Sequence, residues 1–140
     1  MIGPKVPKPS PADERDAYEH VTLRDNDTCQ RCRRNCGGSN RDHRVNRSQG
    51  GRTVVSNLQV IGGTGTTGCH GWITEHPEDA VAEGWAAPGY ATPSAWPARR
   101  WLYGTAGLLR LAWVLYADDG GIAEIPEVEA MRLMYGEPNA

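Results

Sequence analysis

Between Cys29 and His76 the chain collects all four of its cysteines, three of its four histidines and seven arginines. Asp42 and His43 are adjacent. A carboxylate that binds hard cations therefore stands beside an imidazole whose ordinary pKa of about 6.5 lets it exchange a proton near neutrality. Cys29 and Cys32 form a C-x-x-C, and no secretory leader accompanies them, so metal ligation is a better expectation than a disulfide. The chemistry such a set can serve is hydrolysis of a phosphodiester. That reaction needs a nucleophile made from water, a cation at the phosphate oxygens and leaving group, and a fixed line of attack.

The net charge is -2, but the sum conceals an asymmetry. Residues 1–53 hold 11 Lys/Arg against 7 Asp/Glu, and residues 54–140 hold 4 against 10. Between Arg31 and Arg52, Asp42 is the only acid among seven arginines, a window suited to phosphate. The simplest reading of Arg31, Arg33 and Arg34 is a solvated face.

Elements must position these groups. Residues 1–12, rich in proline, read as a disordered arm. Asp13 to Arg24 reads as a short helix leading to Thr28-Cys29. Arg41–Asn46 and Val54–Ile61, joined by the polar RSQGGRT, read as a β-hairpin. Cys69–Glu75 reads as a short helix interrupted by Pro77, which opens another ending at Gly84. Thr105–Ala117 is apolar on nearly all sides and is expected to be a buried helix, packed on the rest or forming a dimer seam. Pro126–Tyr135 is expected to be a last helix presenting Val128, Met131 and Met134 together. Trp72 and Trp85 are expected in the core.

The ordered set Cys29/Cys32, His43 to Gly51 (HRVNRSQGG), Ser56-Asn57-Leu58 and Gly65 to Trp72 (GTTGCHGW) resembles the HNH endonuclease family, most closely small phage-carried members, over roughly His20 to Tyr90. The resemblance implies an α+β fold: a ββα-metal finger with a zinc-binding Cys cluster, flanked by an N-terminal helix and a helical C-terminal extension. The implied division is an arm at 1–12, a nuclease domain at 13–92 and the extension at 93–140.

It also implies the roles. His43 is the general base, and Asn57 completes the catalytic set by bracing backbone across the hairpin loop. Asp42 and His70 hold one catalytic divalent cation, Mg²⁺ or Mn²⁺. Arg44, Arg47 and Arg52 contact phosphate. His76 is a helix-start residue or a further phosphate contact. A structural Zn²⁺ takes Cys29, Cys32 and Cys69. Where relatives carry the fourth cysteine this chain has Gly62, so Cys36 is the candidate replacement; the alternatives are water, no metal, or His70 as the zinc ligand.

The implied activity is DNA phosphodiester hydrolysis on double-stranded DNA, linked in phage relatives to packaging beside terminase, and the implied location is the cytoplasm, that of the host for a phage protein. The alternative is a zinc module that binds nucleic acid without cutting it. A redox role for Cys29/Cys32 would require a thioredoxin-like βαβ setting, which the sequence lacks. Gly63 to Gly68 matches G-x-G-x-x-G but leads into Cys-His without a βαβ unit, so dinucleotide binding is set aside. No apolar run reaches the length of a membrane span.

Overall fold

The computed structural model describes residues 8–137. The expected arm at 1–12 falls largely outside the described residues, and its last two residues are already helical. Helix α1 (Pro11–Arg24) starts where Ser10 accepts a hydrogen bond at Oγ from the Asp13 N–H (3.1 Å), with Pro11 in the first turn and Asp13 and Glu14 favouring the positive helix end. Ala17 and Val21 form its buried stripe, packed against Val55, Leu58 and Val60.

Strands β1 (Ser39–His43) and β2 (Leu58–Gly62) form the hairpin, antiparallel, with Asp42 opposite Gln59 and His43 opposite Leu58. β2 is buried throughout. The second strand begins later than the Val54 start expected, because Val55–Asn57 is a 3₁₀ turn. The Arg44 N–H donates to the Asn57 carbonyl (2.7 Å), and the Asn57 amide holds Val45 at both its N–H and its carbonyl. Those bonds fix a turn rather than a ladder. Helix α2 (Gly68–Glu75) and helix α3 (Pro77–Glu83) follow, the latter closed by Gly84 in the left-handed conformation. Gly68 is required by geometry: its φ is +63°, and a Cβ there would lie 2.3 Å from the Cys36 carbonyl oxygen.

The α+β class and the Cys-bearing ββα finger are as expected, but the helical extension is not. Strands β3 (Ala98–Tyr103), β4 (Leu109–Tyr116) and β5 (Ile122–Ile125) form an antiparallel sheet in the order β3-β4-β5, and helix α4 (Glu127–Tyr135) closes the described chain. The run read as a buried helix is β4. It is apolar all round because its second half is covered on both faces: Trp113 packs with Ala130 and Met134 of α4, whereas Val114 and Tyr116 pack with Ala98. The Gly104–Gly107 and Asp118–Gly121 turns that bracket it are hairpin signals. Val128 is exposed; the inward face of α4 is Ala130, Met131 and Met134.

A buried ion cluster joins these parts. Asp25, at the end of α1, accepts from Arg24 (2.8 and 3.0 Å), from Arg100 of β3 (2.5 Å) and from the Val60 N–H of β2 (2.9 Å). Arg24 also donates to the carbonyls of Val55 and Leu58, and its guanidinium lies 4.0 Å from the centre of the Tyr116 ring. Removing the shared acceptor leaves two buried cations unpaired. We predict that Asp25→Ala lowers the unfolding free energy by about 3–5 kcal/mol in urea titration; a change within experimental error would show that the cluster is not structural.

Candidate functional site

The hairpin and α2 carry the polar groups to one place. Asp42, His43 and His70 line a single cleft of about 670 Å³, whose other walls come from α2, α3, the 86–90 segment and the end of α4. Asp42 is 9% exposed, and its two oxygens face different partners. Oδ1 lies 3.2 Å from His70 Nε2, and Oδ2 accepts from Gln59 Nε2 (3.1 Å). Gln59 also donates to the Trp85 carbonyl (2.6 Å), so its amide aims the carboxylate. Sequence reasoning missed Gln59. Its signal was an amide within an apolar strand, directly opposite Asp42 once the register is known.

His70 lies on the first turn of α2. Its hydrogen bond to Asp42 holds its pKa above the ordinary imidazole range, against the effect of burial. Asp42 Oδ1 and His70 Nε2 are spaced as two adjacent ligands of one octahedral cation, for which bonds of about 2.1 Å put neighbouring ligand atoms about 3 Å apart. The anionic oxygen suits a hard ion such as Mg²⁺ or Mn²⁺ and the neutral imidazole nitrogen suits a softer transition ion, so the pair fits one divalent cation without fixing which.

His43 ends β1, half-buried, with Nε2 3.0 Å from Thr53 Oγ1 across the loop. Burial first, then the Arg47 charge, push its pKa below the ordinary value, which keeps the ring neutral at pH 7. Asn57 is fully buried. Its Oδ1 accepts from the Val45 N–H (2.8 Å), and its Nδ2 donates to the carbonyls of Val45 (3.1 Å) and Arg52 (2.9 Å). It spans the loop between the two strands and touches no group in the cleft by these bonds.

The expected phosphate contacts divide. Arg47 and Arg52 are exposed on the loop beside His43. Arg44 is a correction: its side chain is buried, donating to the carbonyls of Ser56 (2.8 Å), Pro93 (2.9 Å) and Trp96 (2.7 Å), and burial pulls its pKa down to about 10. A guanidinium enclosed by three carbonyls cannot also meet a phosphate. His76 is exposed and stacked on Trp72 (centroids 4.8 Å apart), with Nδ1 3.0 Å from the Trp72 carbonyl. Arg31 is more than a solvated face. It lies over the Trp72 ring (3.9 Å) and reaches Cys69 Sγ (3.4 Å). Trp72 is accordingly only half-buried, whereas Trp85 is in the core.

The second cluster is sulfur. Cys29, Cys32, Cys36 and Cys69 are unbridged, and their Sγ atoms all lie within 4.8 Å of one another. A tetrahedral Zn²⁺ with bonds of about 2.3 Å has sulfur–sulfur edges of roughly 3.8 Å, so small thiol rotations complete the site. Burial raises the thiol pKa values of Cys32 and Cys69. It acts the same way on Cys29, but N–H groups including those of Cys32 and Gly62 outweigh it and leave that thiol below the ordinary range. Four thiols packed this closely, three from one loop and one from α2, are compatible with a structural zinc.

Cys36 lies where the vacancy at Gly62 had to be filled. A Cβ built on Gly62 would be 2.5 Å from Cys36 Sγ. His70 faces Asp42 rather than the thiols.

The HNH endonuclease family model matches residues 29–61, the stretch that carries three of the four cysteines, Asp42, His43 and Asn57. No curated protein and no solved structure matches the chain. The match points to a nuclease or other nucleic-acid function for this region.

We predict that the purified chain carries close to one equivalent of zinc by elemental analysis. Cys36→Ala should lower the zinc content and the melting temperature together. Unchanged content in that variant would remove Cys36 from the ligand set.

Proposed function

We propose that the chain is a metal-dependent endonuclease that hydrolyses phosphodiester bonds in DNA, with His43 as general base and Asp42 and His70 as ligands of one Mg²⁺ or Mn²⁺. The observation that carries this reading is the convergence of Asp42, His43 and His70 on one cleft, within and beside the stretch matched to the HNH family.

The side chains have separate tasks. In the tautomer that donates Nε2–H to Thr53 Oγ1, His43 keeps the Nδ1 lone pair for a proton from water, and the resulting hydroxide attacks phosphorus in line with the leaving oxygen. Asp42 and His70 would hold the cation, which when bound would supply charge neutralisation at the phosphate and the leaving oxygen. Gln59 fixes which Asp42 oxygen faces that position, and Asn57 fixes the loop that presents His43 and Thr53. Arg47 and Arg52 supply salt-sensitive affinity for the backbone, independent of sequence. Double-stranded DNA is the expected partner, with phage DNA packaging the setting that the sequence resemblance implies. No described helix is long and apolar enough to cross a membrane.

Supercoiled plasmid relaxation tests the proposal. Wild type should nick in Mg²⁺ or Mn²⁺ and not in EDTA, and His43→Ala, folded and zinc-loaded, should be slower by about 10²–10⁴-fold. A salt-sensitive gel shift by both proteins without cutting would favour the binding-module reading. Asn57→Ala should also lose activity, but with a lowered melting temperature, because its bonds are all to backbone.

A further inference from the structure

The cleft extends well past the three polar side chains. A cation with about six waters fills roughly 200 Å³ at ~30 Å³ per water, and the cleft holds about 670 Å³. Its lining also takes in residues outside the family match, among them Ile73, Val81, Tyr90 and Tyr135. Two large aromatic rings stand there in the open: Tyr90 is 82% exposed and Tyr135 64%.

Tyr90 is nevertheless held in place. Its ring meets Trp96 edge to face, with centroids 5.9 Å apart and planes at 82°, and Trp96 is itself buried. The turn that carries it is closed by the Ala91 N–H donating to the Pro88 carbonyl (2.9 Å). Glu78 also lines the cleft, and its charge opposes a phosphate beside it but not a neutral ring.

We propose that the cleft takes an unpaired nucleobase next to the phosphate bound at Asp42 and His70, stacked on Tyr90 in the space that Tyr135 also lines. The preferred substrate is then DNA that is locally single-stranded, because a base inside an intact duplex cannot reach a ring in a cleft. Stacking on an aromatic face tolerates any base, so the site selects strand state rather than sequence. The inference rests on the endonuclease reading for its phosphate and adds the state of the DNA around it.

The test uses the full-length His43→Ala chain with Mg²⁺ and oligonucleotides carrying 2-aminopurine in a single strand, a gapped duplex or a complete duplex. The single-stranded and gapped forms should bind at least about tenfold more tightly than the duplex, with quenched fluorescence on binding. Tyr90→Ala should weaken that binding by roughly tenfold and abolish the quenching, and Tyr90→Trp should restore both. Equal affinity for duplex and single strand, or quenching indifferent to Tyr90→Ala, overturns the proposal. The readout is binding, so the two readings fail separately. Base stacking without plasmid nicking by wild type sinks the endonuclease alone, and His43-dependent nicking without stacking sinks this inference alone.

Discussion

A carboxylate sealed from water, Asp25, sets the position of nearly everything else. A buried charge costs several kcal/mol unless it is matched on every side, and here two arginines and a backbone N–H do the matching. Those donors come from α1, β2 and β3, so the helix, the hairpin and the C-terminal sheet are registered at one point. From there the order passes along β2 to the site. Val60 is bound by Asp25, Gln59 beside it aims Asp42, and Asp42 meets His70. The polar groups of the cleft are thus held through bonds that begin on the far side of the strand.

The hairpin, both short helices after it and the Asp42, His43 and His70 that line the cleft were legible in the sequence because each is governed by local chemistry, whereas Gln59 and the inward turn of Arg44 were not. Pro77 and Gly84 bound α3 by their own backbone preferences, and the C-x-x-C and Asp-His pairs declare themselves by spacing. The C-terminal sheet was not legible. An unbroken apolar run fits a buried helix and a strand covered on both faces equally well, and only the cover distinguishes them: Trp113 against α4, Val114 and Tyr116 against β3. Nor could the ion cluster be read, since Arg100 meets Asp25 from a distant part of the chain.

The arginines show why a count of charge is a weak guide to a binding surface. Arg24, Arg44 and Arg100 are turned inward, where each guanidinium ties several carbonyls or a carboxylate, and all three surround the Tyr116 ring. Part of the basic excess of the first half is therefore internal mortar. Of what remains outside, Lys8, Arg15 and Arg34 stand on the approach to α1, on α1 and on the cysteine loop, and Arg47 and Arg52 stand on the loop that Asn57 holds beside His43, so the positive surface beside His43 is narrower than the sequence implies.

The glycine at 62 and the cysteine at 36 share one space. A Cβ at 62 would fall 2.5 Å from Cys36 Sγ and 2.8 Å from the Gly38 carbonyl oxygen. Any side chain at 62 therefore pushes the Cys36 thiol away from the other three and presses on the loop backbone, so that in a redesign of the cluster the two positions act as a single unit.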